Sequence, residues 1–223
     1  QTLQTINNFE KTNNILKHTI KLSPNSVVRQ KNLGNIALKM SKPALAEQAF
    51  RKSVALGENS VLKTADAYIG LAKAYSANKN PDEAFKVLGR LNKSFTTNEV
   101  RLKALAVEGM VHHQQGNIEK AEQVATELTQ FLTSNDIHPD SSGTLEIAHL
   151  LMNTDNKEKA IALLQNEIKN NPENTILLQD VAKIFEQAGM GEEGNQMIEV
   201  FRKEAMIIMN RGVLLISKGQ YEE

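Results

Sequence analysis

Histidine is the residue type in this sequence best suited to chemistry, because its imidazole binds metals and transfers protons near neutral pH. The chain has five histidines. His112 and His113 are adjacent, so on a helix their side chains point about 100° apart and do not form the i, i+4 pair that chelates zinc. His149 could face His113 across a groove, but two imidazoles without a carboxylate make a poor site. We therefore predict no metal site.

The segment Gly189-Met190-Gly191-Glu192-Glu193-Gly194 has the G-x-G-x-x-G spacing of a dinucleotide-binding loop. Such a loop follows a strand and turns its backbone amides toward a pyrophosphate. Here a predicted helix precedes the segment, and Glu192 and Glu193 would repel phosphate. We interpret it as a turn between two helices, in which glycine permits a positive φ. No cofactor is predicted.

Motifs that place a nucleophile beside a base are missing from the sequence. There is no G-x-S-x-G, no H-E-x-x-H, no phosphate-binding P-loop and no cysteine. The acidic pairs Asp82/Glu83 and Glu192/Glu193 suit the positive N-terminal ends of helices. We predict that the chain is not an enzyme. The lack of cysteine also favours a cytoplasmic location, where structural disulfides are rare.

Charge is balanced over the whole chain and unbalanced along it. Lysine plus arginine equals aspartate plus glutamate at 26 each, and no apolar run approaches the ~18 residues of a membrane span. Neither nucleic acid nor a membrane is predicted as a partner. Residues 1–110 carry 17 basic and 8 acidic side chains, whereas residues 111–223 carry 9 and 18. This asymmetry favours either an oriented or head-to-tail contact, or drift in a solvated surface.

A small residue recurs along the chain, each time in an amphipathic helix that follows another predicted helix and a turn. The positions are Ala46, Ala84, Ala121, Ala160 and Gly194, at spacings of 38, 37, 39 and 34 residues. Two helices per repeat predict helical hairpins that stack, since one hairpin cannot bury its own apolar face. We predict an all-α fold with a leading helix or partial repeat at 1–22 and about five hairpins over 23–223, the last one truncated.

Single repeats resemble the tetratricopeptide family. Tyr68-x-x-Leu71-Ala72-x-x-Tyr75 followed by Ala84 matches the family pattern, as do Leu33-Gly34-x-x-Ala37, Ala46 and Phe50. The resemblance implies a right-handed superhelical solenoid of tetratricopeptide-like hairpins, whose concave groove takes a protein or peptide. Because three spacings exceed the family's usual 34 residues, we expect long loops at 57–66 and 134–143.

Three blocks suggest a more specific relationship. LSPNSVVRQKNLGNIA, AFRKSVALGENSV and MNRGVLLISKGQYEE are similar to the helical-repeat output regions of bacterial two-component response regulators. This resemblance implies an output or dimerisation region, with a phosphate-accepting receiver domain upstream of Gln1 in a longer protein. The alternative is an assembly or secretion accessory scaffold with tetratricopeptide repeats, which would have a signal or lipid anchor upstream.

Helical-face counting places a mixed set of polar and apolar residues on the first helices of the hairpins, toward the expected groove. We expect Lys73 and Lys103 to be exposed there, and methionines to form an adaptable apolar floor. A homodimer through the apolar C-terminal end, at Met206, Ile207, Val213 and Leu214, is a further possibility. The predicted partner-binding residues are Lys31, Asn35, Ile69, Lys73, Lys103, Met110, His113, His149, Met152, Gln179 and Lys183.

Overall fold

The computed structural model describes residues 23–135 and 137–217, together with the isolated positions 11, 14, 15, 18 and 21. Side chains are described except at 135, 204, 205 and 207–217. Over these ranges the secondary structure is entirely helical. The helices are α1 (Val27–Lys39), α2 (Pro43–Gly57), α3 (Ala65–Ala77), α4 (Pro81–Ser94), α5 (Asn98–Gln114), α6 (Ile118–Asn135), α7 (Ser141–Met152), α8 (Lys157–Asn170), α9 (Thr175–Gln187) and α10 (Gly191–Ser217).

The first and second helices of the hairpins begin in different ways. Four first helices start at a side-chain cap that accepts a backbone N–H and so satisfies one free donor of the first turn. The second helices α2 and α4 start with Pro43 and Pro81, whose fixed φ and missing N–H suit the first helical position. The four caps are Ser26 for α1, Thr97 for α5, Asp140 for α7 and Asn174 for α9.

Four of the five hairpin turns share one backbone conformation. In each, the residue one position past the C-cap has a positive φ, and the next N–H donates to a carbonyl five residues earlier. These bonds satisfy the last carbonyls of the first helix, as in a Schellman motif. The turn at 153–156 differs, since none of its residues has a positive φ. The positive-φ residues are Ser41 (55°), Lys79 (59°), Gly116 (77°) and Gly189 (75°).

The recurring small residues lie where helices meet. Ala46, Ala84, Ala121 and Ala160 are fully buried, as the repeat pattern predicts. Glycine extends this close approach around Phe50 of α2, which is also fully buried. A Cβ added at Gly34 of α1 would lie 2.7 Å from the Phe50 ring, and one at Gly70 of α3 would lie 2.3 Å from it. The ring therefore fills the space between two successive first helices.

The chain divides into two compact units. Unit 1 comprises residues 1–124 and unit 2 comprises residues 125–223, so the boundary falls within α6. In unit 1, α1 packs on α2 and α3, and α3 packs on α4 and α5. In unit 2, α7 packs on α8 and α9, and α9 packs on α10. Each hairpin thus packs on the next within its unit, which confirms the predicted all-α fold of stacked tetratricopeptide-like hairpins.

The structure describes only part of the two chain ends for which the sequence predicts a leading helix and a truncated repeat. Most of the expected leading helix 1–22 lies outside the described residues, although positions 11, 14, 15, 18 and 21 are helical. At the other end, α10 runs through 27 residues to Ser217 as one helix. Residues 210–217, expected to open a further repeat, therefore continue α10, and 218–223 lie outside the described part.

Candidate functional site

In unit 1, side-chain bonds tie the first helices together along one face. Lys31 Nζ of α1 lies 3.3 Å from Asp66 Oδ2 of α3, and the Ser76 hydroxyl of α3 donates to Gln114 Oε1 of α5. The first bond lies near the N-terminal end of α3 and the second near its C-terminal end. We call the surface of α1, α3 and α5 that carries these bonds the first-helix face. The two bonds link neighbouring first helices along this face and limit the freedom of the side chains that form them.

Three residues predicted to contact a partner are accessible on α1 and α3. Asn35 is exposed, and Lys31 and Lys73 are half-buried. Ile69 is 6% exposed and belongs to the hydrophobic core of unit 1. On α5, Met110 and His113 are half-buried. The accessible members of the predicted set in unit 1 are therefore mainly polar, with Met110 as the apolar exception.

Lys103 contradicts the expectation that it is exposed. Only 5% of the residue is accessible, and its ammonium lies 2.8 Å from Glu99 Oε1, one helical turn earlier. The physical reason is that a lysine can bury its methylene stem along apolar neighbours while its charge reaches a more exposed carboxylate. Glu99 is 49% exposed at its side chain. Lys103 is therefore part of the packed interior of α5 in the unbound chain.

In unit 2 the predicted residues also divide between surface and core. Gln179 is exposed, while His149 and Lys183 are half-buried. Met152 is 1% exposed, so its thioether is packed in the core and does not form the open apolar floor that we expected. The reason is its position in the last turn of α7, among the fully buried Leu150 and Leu151.

His112 lies against an aromatic neighbour. Its ring packs on Phe85 with the ring centroids 4.7 Å apart. Burial, with a smaller contribution from the Lys120 charge, lowers the pKa of His112, so the ring is neutral near pH 7. Across the described part of the chain, no group of three or more histidine or acidic side chains could hold a metal ion.

The glycine-rich segment 189–194 forms the turn between α9 and α10, as predicted, and its last four residues are the first residues of α10. Gly189 has a φ of 75° in the α9–α10 turn, and Gly191 is the first residue of α10. Gly194 lies against Phe185, since an added Cβ would come within 2.5 Å of that side chain. These glycines therefore serve backbone conformation and helix packing.

One cluster was not found from the sequence. The carboxylate of Glu58, just after α2, accepts hydrogen bonds from the Tyr68 hydroxyl, from Lys63 Nζ at 3.2 Å and from Arg90 Nη2 at 3.0 Å. Lys63 and Arg90 also lie 5.7 and 5.5 Å from the centroid of the Tyr68 ring. The only sequence signal was the 38-residue spacing, which predicts a long loop at 57–66 but not its contacts.

Comparison with known proteins agrees with this architecture. Residues 31–91, from α1 to α4, match the family model described as "Tetratricopeptide repeat". The match covers 61 of the 223 residues and shows the similarity of this segment to the family. The two hairpins of unit 1 that contain Phe50 and the Glu58 cluster lie almost entirely within the matched range. No helix in the described part of the chain is long and apolar enough to cross a membrane.

One sequence relative and two solved structures are similar to the chain at low sequence identity. Human protein O-mannosyl-transferase TMTC3 is 22% identical over 179 residues, covering 80% of this chain, and the chain spans only 19% of that relative. The solved human IFIT1 dimer with PPP-AAAA covers 88% of this chain and 47% of its own, with a TM-score of 0.51 and 14% identity. For a tetratricopeptide repeat protein from Parabacteroides merdae, the match covers 97% of this chain and 82% of that protein, with a TM-score of 0.45 and 18% identity. The likeness to the IFIT1 structure shows the fold alone.

Proposed function

We propose that the chain is a non-catalytic scaffold that binds an acidic segment of a protein partner on the first-helix face of unit 1. The observation that carries this proposal is the pair of side-chain bonds, Lys31 to Asp66 and Ser76 to Gln114, which hold α1, α3 and α5 together. A surface held in register before binding loses less conformational entropy when a partner arrives. Tetratricopeptide repeats are built for this use, since stacked hairpins present an extended binding surface.

The chemistry of the partner is inferred from charge. Residues 1–124 carry 18 lysine and arginine against 10 aspartate and glutamate, a net charge of +8. Lys73 lies on the proposed surface together with Lys31, whose ammonium is paired with Asp66, and Asn35 can form hydrogen bonds to backbone or carboxylate groups. Met110 adds a polarizable apolar contact. An acidic peptide with one or two apolar side chains fits this composition.

Charge reversal at Lys73 tests the proposal. Peptides would first be selected from a random display library on the full chain, and the dissociation constant of a selected acidic peptide measured by calorimetry. We expect Lys73→Glu to weaken binding about tenfold, because it replaces attraction by repulsion at the surface. Lys52→Glu, an exposed position on the second helix α2, is the matched control and should leave the affinity unchanged.

Two results would contradict the proposal. One is a selected peptide set without acidic enrichment. The other is an equal effect of the two substitutions, which would mean that net charge and not the first-helix face determines binding. Circular dichroism of each variant shows whether the helical fold is retained, so that a loss of affinity is not mistaken for unfolding.

At a finer level, we propose that these repeats are the cytoplasmic output or dimerisation region of a two-component response regulator. The support is the similarity of three sequence blocks to such regions. The alternative is an accessory scaffold for assembly or secretion, or a binding region within a longer protein, which the partial coverage of the mannosyl-transferase relative supports. A parent gene that encodes a receiver domain before Gln1 supports the first proposal, whereas a signal or lipid anchor there supports the second.

A further inference from the structure

The loop between α2 and α3 is fixed in position by its own bonds. Within the loop, the Ser60 N–H donates to the Gly57 carbonyl at 2.9 Å, and the Lys63 N–H donates to the Ser60 carbonyl at 3.1 Å. Glu58 joins the loop to α3 through Tyr68 and to α4 through Arg90. A surface loop with this many bonds is pre-organised and loses little conformational freedom when it binds.

This fixed loop presents two apolar side chains to solvent. Val61 is 100% exposed and Leu62 is 47% exposed. Lys63 of the same loop and Arg90 of α4 are both paired with Glu58. These three residues carry a net charge of +1. An apolar pair with a basic rim has the composition of a small docking surface for an acidic partner.

Unit 2 has an open cleft of about 450 Å³ beside the start of α9. Leu178 and Met206 provide apolar surface in it, and Met206 is 57% exposed. Two acidic and two basic residues lie on its rim, so the rim has no net charge. They are Glu173, Glu199, Arg202 and Lys203. The lining residues are Pro172, Glu173, Thr175, Leu178, Glu199, Arg202, Lys203 and Met206.

The two units carry opposite net charges of the same size. Unit 1 has a net charge of +8, while residues 125–223 carry 8 basic and 16 acidic side chains, a net charge of −8. Because the charge changes sign with the unit, unit 1 of one molecule attracts unit 2 of another over a distance of about one Debye length, ~10 Å at moderate salt. The occupant that the chain itself offers for either surface is therefore a second copy.

We propose that the chain self-associates head to tail, with Val61 and Leu62 of one copy seated in the cleft between α9 and α10 of a second copy. The apolar pair loses contact with water, and the opposite unit charges orient the encounter. The contact joins two different surfaces of the chain, so the copies add in an open row or close into a ring. In either case the mean mass rises with the protein concentration.

Sedimentation of the full chain tests this proposal. The weight-average mass is measured from about 2 to about 200 µM protein, where mass action moves a weak equilibrium across its midpoint. We expect the mass to rise with concentration, and to rise less at about 0.5 M salt than at about 20 mM salt, because salt screens the unit charges. Val61→Asp should lower the association constant about tenfold or more. Val28→Asp, an exposed valine on α1 (51%), should leave it unchanged.

Disulfide trapping identifies the contact surfaces. Because the chain has no cysteine, one substitution per copy gives an unambiguous product. We expect Val61→Cys mixed with Thr175→Cys to form a mixed disulfide dimer on mild oxidation, and Val61→Cys mixed with Ser142→Cys to form none. Thr175 lines the cleft, whereas Ser142 is an exposed residue of the same unit outside its lining.

Three results would overturn the proposal. They are a mass that stays at the monomer over the whole concentration range, a Val61→Asp chain that associates as strongly as the unmodified chain, and a disulfide product that joins only two Val61→Cys copies. None of these results bears on peptide binding at the first-helix face, which is carried by other residues.

Discussion

At the scale of single residues, the ring of Phe50 is closely packed between two first helices. It touches the backbones of two first helices through Gly34 and Gly70, and it is fully buried. A buried ring in a close-packed core has no free space into which it can move. The two glycines are therefore required by packing and not by backbone conformation, because neither has a positive φ.

We predict that Gly70→Ala lowers the free energy of unfolding by about 1–3 kcal/mol, because the new methyl group overlaps the Phe50 ring. Gly89→Ala is the matched control. Gly89 is exposed within α4 and a Cβ there meets nothing within 4 Å, so alanine should raise stability by up to about 1 kcal/mol through helix propensity. Urea unfolding followed by circular dichroism measures both changes. Equal effects of the two substitutions would contradict this account of Phe50.

The carboxylate of Glu58 gives the loop between α2 and α3 a dependence on pH. The Tyr68 hydroxyl, followed by Lys63 and Arg90, holds the pKa of Glu58 below its usual 4.5 despite partial burial. The unfolded chain therefore binds a proton at Glu58 more readily than the folded chain does. The stabilisation is complete above pH 4.5 and is lost as the pH falls through the lowered pKa of the folded state.

We predict that Glu58→Gln destabilises the chain near neutral pH and that this difference shrinks below pH 4.5. The effect should stay near or below about 1 kcal/mol, since the Glu58 side chain is 38% exposed and solvent weakens its ion pairs. Glu158→Gln, at an exposed position of α8, is the control. Urea unfolding at several pH values measures both. A Glu58→Gln difference that does not change with pH would show that the charge of Glu58 does not act on stability.

Residue positions were predicted from the sequence with uneven success. The repeat period located the buried alanines. Lys103 and Met152 were misplaced because counting helical faces gives a direction but not how deeply neighbouring helices cover it. The Glu58 cluster was missed because its four members are up to 32 positions apart and meet only after α2, α3 and α4 have packed.

At the scale of elements, the hairpin turns show how one backbone motif is met by different residue types. Glycine occupies the positive-φ position in two turns, but Ser41 and Lys79 occupy it in the others. The left-handed conformation costs a residue with a Cβ about 1–2 kcal/mol. The bonds from Lys42 N–H to the Ala37 carbonyl (2.8 Å) and from Asn80 N–H to the Tyr75 carbonyl (2.9 Å) keep the motif in place despite this cost.

We predict that Lys79→Gly raises the free energy of unfolding by up to about 1 kcal/mol, and that Gly116→Ala lowers it by about 1 kcal/mol. Both residues are exposed, and a Cβ at Gly116 meets nothing within 4 Å, so packing does not obscure the backbone effect. Lys79→Ala keeps the Cβ and should change little. Thermal unfolding compares the three chains. A stabilising Lys79→Ala would show that the lysine side chain, and not its φ, limits the turn.

The starts of four helices are marked in the sequence by a proline or a capping residue. Pro43 and Pro81 mark the starts of α2 and α4, and Ser26 and Asp140 cap α1 and α7. Helix α10 has no proline inside it and runs as one helix of 27 residues, where a truncated further repeat was expected. The turn at 153–156 could not be distinguished from the others, since its polar composition is the same and only its φ angles differ.

At the scale of the whole molecule, the sequence repeats and the contacts in the structure divide the chain differently. The repeat pattern runs without interruption through residues 118–135, so the sequence predicts one continuous array. The structure places the boundary between units within α6, at residues 124 and 125. The two units differ in charge, with net charges of +8 and −8. The sequence analysis interpreted the charge asymmetry as a contact feature or as drift, so the boundary between the units was not predicted from it.

The position of Phe50 also limits which amino-acid substitutions the chain can accept during evolution. One ring packs against two glycines that are 36 positions apart in the chain and lie on different helices. A larger residue at either glycine is tolerated only if the ring becomes smaller, and a smaller ring leaves an empty space unless a glycine gains a side chain. The effects of substitutions at these three sites therefore depend on one another. A single substitution at one of them is expected to lower the stability of the fold.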